Sequence, residues 1–497
     1  MTAHCVMVLG TTSGAGKSWL TTALCRYYQR QGLKVAPFKA QNMSNNARVV
    51  ASENGQGEIG SAQYFQALAA RAIPDVRMNP LLLKPEHDTH SQVVLMGQVD
   101  EALSNMDWRG RSIHVWPVIA QALDDLRAEN DVVVIEGAGS PAEINLSSSD
   151  IVNMRVALHA QAACLLVTDI DRGGAFAHLY GTWALLPESE RRLIKGFVLN
   201  KFRGDASLLA PAPQMLQDLT GIPTVATLPM WWQHGLPEED GVFDDRSIAS
   251  GAVTQTVAVI AYPRISNLDE YQPLKNVPGV RLQWVRSPSE ISALKPTDWI
   301  ILPGSKNTSG DLEWLRSQGL DGAIARHAGQ GGAVLGICGG LQMLGEALID
   351  PHGVDGNAPG LGLLPLVTVF DADKTVRHTH TRFSAQMVAV ANPWSALASV
   401  QVSGYEIHHG QTQVHAGMQA AGVVAREVMA PGLGWQNQAG NVLGLYLHGL
   451  FEDPAALQAL FGARFSKPVP TLESVFDGLA DFIEMNFEPG ALQALLK

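Results

Sequence analysis

Two stretches of this 497-residue sequence carry residue types whose spacing permits chemistry. The first is GTTSGAGKS, Gly10 to Ser18, which follows the apolar run CVMVLG and precedes WLTTALCRYYQRQG, a helical pattern closed by Gly32. In such a strand, turn and helix, backbone N–H groups hold phosphate oxygens, a lysine adds charge at the β/γ end, and a serine hydroxyl ligates magnesium. Those roles fall to Gly10, Thr11, Thr12, Ser13, Gly14, Gly16, Lys17 and Ser18, with ATP and Mg2+ as the expected occupants. The spacing departs from the usual GxxxxGK, because its first glycine would stand at Thr11 and is found at Gly10.

The second stretch is GAVLGICGGLQMLG, in which Cys338 stands between a buried-strand run and the helical LQMLGEAL. A thiol at a helix N-terminus has its thiolate favoured, and flanking glycines permit a sharp turn that presents the sulfur as a nucleophile. His448 in GLYLHGLFED ends another strand run and is the candidate general base and acid. The turn at Gly304 and Ser305 in ILPGSKNT, together with Gly339, is the candidate source of N–H donors to an oxyanion. Cys5, Cys25 and Cys164 fall within strand or helix runs and read as small core residues.

Further polar groups fall at the ends of strand runs, where ligands of open α/β sheets collect. Lys39 in PFKAQNMSNNA is a candidate for a phosphate or a substrate carboxylate, and Glu136 at the end of VVVIEG is a candidate magnesium ligand with Ser18. Asp169 and Asp171 end LLVTDID, and Asn200 and Lys201 in VLNKFRGD are candidates for an adenine contact.

The elements that must position these groups are short, continuous, β-branched-rich runs separated by helical stretches: CVMVLG, KVAPF, VVVIEG, ACLLVTDI, GFVLN and TVATLP. Strands covered by helices on both faces lose apolar/polar alternation, so the pattern predicts a doubly wound, mainly parallel α/β domain. After a Pro-, Gly- and acid-rich stretch, the pattern restarts with TVAVIAYP, GVRLQWV, DWIILPG, GAVLGIC and NVLGLYLHG, predicting a second such domain. The expected division is 1–228, a linker at 229–255, and 256–497. Strand-like VTVFDA and FSAQMVAVA, between about 350 and 435, predict an antiparallel addition to the second sheet.

Composition narrows the function classes. Hydrophobic residues make up 46% and charged residues 16%, which excludes a disordered chain. A formal net charge of −12 disfavours a nucleic-acid footprint, though local cations still bind small anions. Four cysteines with no CxxC pair, no signal-peptide pattern and no apolar run of membrane-spanning length point to a cytoplasmic protein without a membrane partner.

The displaced phosphate loop resembles that of the dethiobiotin synthetases, which use ATP to activate a carboxylate, and so implies a P-loop NTPase-like first domain. Partitioning-type ATPases carry a lysine five residues before the main one, where this chain has Thr12. The second half resembles the class I glutamine amidotransferases, in which a cysteine attacks glutamine's side-chain amide, forms a thioester and releases ammonia. Gln342 in CGGLQ matches that family's glutamine-pocket position. The family's HPE motif would put a glutamate at Leu450, and Glu452 lies too far along, so the third catalytic role stays unassigned.

Joined in this order, the halves resemble the cobyric acid and cobyrinic acid a,c-diamide synthases. Segments such as PFKAQNMSNNA, EGAGSPAEINL, DIDRGGAFA, LPEEDG, GYEIHHGQT and YLHGLFED are similar to the cobyric acid branch. The resemblance implies amidation of the b, d, e and g carboxylates of adenosylcobyrinic acid a,c-diamide, with ATP and L-glutamine as co-substrates. The alternatives are an a,c-diamide synthase, another amidating ligase such as one acting on a peptidoglycan precursor, or a nucleotide-switched regulatory protein with a degenerate glutaminase-like domain.

Overall fold

The computed structural model describes residues 2–52, 55–87, 90–231, 234–237, 252–387, 392–464 and 471–497. The six early runs form one parallel sheet, in the order Thr224–Pro229, Ile194–Phe202, Ala163–Asp169, His4–Gly10, Val132–Glu136, Val35–Phe38. Successive residues face opposite sides. Val6 and Val8 share a core with Leu20 and Leu24 of the Lys17–Arg30 helix, while Met7 and Leu9 share another with Val115, Ile119 and Leu123 of the Trp108–Glu129 helix. Burial on both sides is why these runs lack alternation. The register pairs Val8 with Glu136, Gly10 with Val167 and Asp169 with Asn200, so the polar strand ends gather along one edge.

The second sheet runs Val280–Val285, Gln255–Ile260, Trp299–Leu302, Ala333–Ile337, Val442–Leu445, and then turns antiparallel through Gly434–Gln436 and Arg426–Met429. The expected antiparallel addition is therefore present but smaller than the sequence pattern implied. VTVFDA lies in the long strand Leu366–Arg382, which pairs with Gln401–Val414 in a separate four-stranded sheet rather than extending the second. The segment 383–387 is not strand, and 388–391 of FSAQMVAVA lie outside the described residues. Most of the expected linker, 232–233 and 238–251, and the end of the LPEEDG segment also lie outside them.

Three features had no signal in the sequence reading. A hairpin, Ala47–Ser52 with Gly55–Gly60, and a small sheet built on Gln41–Met43 and Leu81–His87 extend the first half toward the second. Across the seam, Glu58 accepts from Lys374 at 2.5 Å and Glu86 pairs with Lys306 at 2.9 Å.

The third feature is the destination of the last helices, Leu472–Asn486 and Ala491–Ala494, which pack on the first sheet. Phe476, Leu479, Ala480 and Ile483 recur at helical spacing and join the core formed by Leu20, Leu24 and Val198. Arg26, fully buried on the Lys17–Arg30 helix, pairs with Glu473 at 2.5 Å and Asp477 at 2.7 Å, and Tyr28 donates to Leu492 O at 2.8 Å. Ile483→Ala is expected to destabilise the first domain by about 2–4 kcal/mol through the cavity it leaves. Urea unfolding reads this as a lower midpoint, and an unchanged midpoint would show that the helix contributes nothing to that core. Among the described residues, no helix is long and apolar enough to cross a membrane.

Candidate active site

The phosphate loop is preshaped. Gly14 and Gly16 adopt positive φ, 72° and 99°, which glycine accepts without steric cost. The lysine folds back over the displaced first glycine: a Cβ at Gly10 would lie 2.9 Å from Lys17 Nζ and 3.0 Å from Thr12 O. Lys17 Nζ donates to Thr12 O and Gly139 O, each at 3.2 Å, across the space between the loop and the end of Val132–Glu136. Thr11 Oγ1 donates to Thr168 Oγ1 at 3.0 Å and ties the loop to the neighbouring strand.

Asn200 and Lys201, expected at the adenine, are engaged by the loop itself. Asn200 Nδ2 donates to Ala15 O at 2.8 Å, and Lys201 Nζ donates to Gly14 O at 2.8 Å while pairing with Asp169 at 3.1 Å. Asp171 instead pairs with Arg203.

Glu136, 1% exposed, gathers Ser18 Oγ at 2.8 Å, Lys39 Nζ at 2.9 Å and Gln66 Nε2 at 2.5 Å. Burial works against its ionised form, but Lys39 and the two neutral donors outweigh burial and hold the carboxyl below the usual glutamate range. An ionised carboxylate beside the Ser18 hydroxyl is a hard oxygen donor pair. It fits Mg2+, which takes one or two protein ligands and completes its shell with phosphates and water. Among the described residues, no cluster of three or more His, Cys, Asp or Glu side chains is arranged for a metal.

In the second half, Cys338 sits between Ala333–Ile337 and the helix Gly339–Leu344 with φ 52° and ψ −107°, a conformation rare for a non-glycine residue. The turn is held because its backbone runs against the end of Trp299–Leu302: a Cβ at Gly340 would lie 1.9 Å from Leu302 O. A Cβ at Gly339 would lie 2.7 Å from Ser305 N, so the Gly339 and Ser305 backbones meet next to Cys338. Gln342, 3% exposed, accepts from Thr308 Oγ1 at 3.1 Å and lines the same cavity as Cys338.

His448 lies within hydrogen-bonding reach of the Cys338 sulfur and is 1% exposed. Its Nδ1 faces Glu270 Oε1 at 3.1 Å, and the other oxygen of Glu270 accepts from Gly449 N at 3.0 Å. A proton on Nδ1 shared with this carboxylate leaves Nε2 for the thiol, the division of labour of a Cys-His-acid triad. Glu270 belongs to the 3₁₀ segment Leu268–Asn276 and was missed from the sequence. It stands far from both GICGG and LHG in the chain, and no local motif marks it. Glu452, close to His448 in sequence, pairs instead with Arg48 at 2.6 Å.

Burial opposes charge on His448, but Glu270 and the Cys338 sulfur outweigh it and raise the imidazole to about 10. The imidazolium is thus retained through neutral pH and lost as pH rises toward 10, where the glutaminase rate is expected to fall. Glu270→Gln removes the carboxylate that raises this value, so the alkaline limb should move to lower pH. The same change is expected to lower the glutaminase kcat by about 10² to 10⁴ with little effect on glutamine KM. A stopped assay of glutamate release across pH checks both, and an unchanged kcat and profile would remove Glu270 from the site.

Residues 6–235 match the family described as CobQ/CobB/MinD/ParA nucleotide binding domain, and residues 256–456 match the CobB/CobQ-like glutamine amidotransferase domain. Fold and site together define a glutamine-dependent amidoligase. Three proteins called cobyric acid synthase are similar along their length. That of Albidiferax ferrireducens is 79% identical over 100% of both chains, and that of Variovorax paradoxus 75% over 100% of both. That of Methylibium petroleiphilum is 63% identical over 99% of this chain and 97% of its own. The chain belongs to the cobyric acid synthase family.

Proposed function

We propose that this enzyme amidates the b, d, e and g side-chain carboxylates of adenosylcobyrinic acid a,c-diamide, giving adenosylcobyric acid in cobalamin biosynthesis, with ATP, Mg2+ and glutamine. A carboxylate resists ammonia because hydroxide leaves poorly, and phosphorylation by ATP converts that oxygen into a leaving group. Lys17 and the N–H groups of Gly14 and Gly16 would hold the phosphates, Ser18 and Glu136 would hold the magnesium, which offsets phosphate charge, and Lys39 would meet the acceptor carboxylate or the transferred phosphate.

In the glutaminase, the Cys338 sulfur attacks the amide carbon of glutamine, and the N–H groups of Gly339 and Ser305 take the charge that develops on its oxygen. His448, held by Glu270, gives a proton to the departing nitrogen and then takes one from the water that hydrolyses the thioester. Gln342 lies on the wall where the glutamine substrate binds.

The observation that carries this reading is a cavity of about 80 Å³ shared by Cys338 and His448 with Asn45, Lys84 and Gln92 of the first half. Ammonia leaving Cys338 therefore meets residues of the nucleotide-binding half directly. That cavity shares Glu86, Gln92, Val354, Lys374 and His409 with a larger, more open one of about 1000 Å³ between the halves. The test is incubation with ATP, Mg2+, glutamine and candidate corrinoids, counting amides by mass. Four successive conversions on the a,c-diamide are expected, and amidation confined to the a and c positions of cobyrinic acid would overturn the substrate assignment.

A further inference from the structure

Arg48 belongs to the first half, on the strand Ala47–Ser52, yet its side chain is 3% exposed and ends in the glutaminase. Its Nη1 donates to Glu452 Oε2 at 2.8 Å and its Nη2 to Glu452 Oε1 at 2.6 Å, a two-pronged pair, and Nη2 also donates to Asp269. The guanidinium carbon lies 5.0 Å from the centroid of the Tyr405 ring, and that ring stacks on His448 with centroids 5.2 Å apart. Asp269 is the chain neighbour of Glu270, and Glu452 follows closely after His448. Every one of these partners is thus one residue, one turn or one ring contact from the Cys338, His448 and Glu270 group.

The flanking backbone repeats the arrangement. Ala47 N donates to Asn267 Oδ1 at 3.0 Å, and Leu268 N donates to Asn46 Oδ1 at 2.9 Å. The Asn267 side chain in turn lies 3.2 Å from His448 Nδ1. The segment that carries Glu270 is therefore clamped by Asn46, Ala47 and Arg48 of the other half.

We propose that Arg48 is a positioning residue of the glutaminase, through which the nucleotide-binding half holds Glu270 and His448 in register with Cys338. The proposal rests on the reading of those three residues given above. Its physical basis is the crowding of carboxylates: Asp269, Glu270 and Glu452 are brought together around the site, and like charges at such separations repel or take up a proton. A buried guanidinium pairs with two of them, offsets one of their two charges and fixes their spacing by its planar fork, which lessens the repulsion on the third and favours its charged form beside His448. Lysine supplies the charge without the fork.

The test uses the full-length enzyme and separates kcat from KM for glutamine hydrolysis, with ammonium-driven amidation as the measure of an intact first half. Arg48→Met is expected to lower the glutaminase kcat roughly 10- to 100-fold with glutamine KM within about twofold, and to leave ammonium-driven amidation within about threefold. Arg48→Lys should recover part of the loss. Should Arg48→Met also lose ammonium-driven amidation, the isosteric Glu452→Gln decides, with an expected glutaminase loss of about 5- to 10-fold and normal ammonium use. A wild-type glutaminase kcat in Arg48→Met, or in Glu452→Gln where that variant decides, overturns the proposal. Glu270→Gln tells the two readings apart: if it is fully active the triad assignment fails, and if it is inactive while the Arg48 and Glu452 variants are normal, only the positioning role fails.

Discussion

Cys338→Ala is expected to abolish glutamine-dependent amidation while leaving amidation from added ammonium salts near the wild-type rate. The strained turn at Cys338, with φ 52°, exists to present one sulfur to His448, and alanine there retains the fold but has no nucleophile. Loss of the thioester route should cost on the order of 10⁴ or more in glutamine turnover, as removal of a covalent nucleophile does elsewhere. Ammonium bypasses the step because free ammonia reaches the activated carboxylate without Cys338. Amide formation followed by mass with each nitrogen source reads both arms. Equal loss of both would show that the two halves do not divide the chemistry as proposed.

Lys17→Ala has the complementary expectation, a loss of at least about 10² with either nitrogen source. Lys17 is the cation that folds over the loop, with Nζ 3.2 Å from both Thr12 O and Gly139 O, whereas Lys39 pairs with Glu136 at 2.9 Å and Lys201 with Asp169 at 3.1 Å. Without Lys17, the charge on the transferring phosphoryl group loses its partner, and acyl phosphate formation precedes any use of ammonia. Glutamine hydrolysis alone, measured as glutamate release, reports the integrity of the second half in the same variant. Ammonium-driven turnover near the wild-type rate would count against the phosphate cradle.

Much of this was legible in the sequence because its signals are local. The Gly10 to Ser18 turn, the Cys338 turn and the six parallel runs each depend on residues adjacent in the chain, and the structure brings Glu136, Lys39 and Ser18 together at the predicted sheet edge. What escaped depends on pairing over long separations. Glu270 sits in a 3₁₀ segment with no apolar period, and Arg48 lies on a hairpin strand that the sequence did not signal. The apolar stripe of Leu472–Asn486 has helical spacing, but nothing in it names the sheet it covers. Asn200 lies near the end of its strand, as the sequence pattern implied, and its amide also ties that strand to the phosphate loop through Ala15 O.

The return of that last helix to the first sheet has a topological consequence. The chain crosses from the nucleotide-binding body to the glutaminase body once before Gln255 and crosses back before Leu472, so the glutaminase is held as a closed loop rather than hung from one strand. Severing either crossing alone leaves the two bodies joined through the other. Each remains at the high effective concentration of an intramolecular partner, which keeps the ammonia source beside its consumer even when the seam contacts loosen.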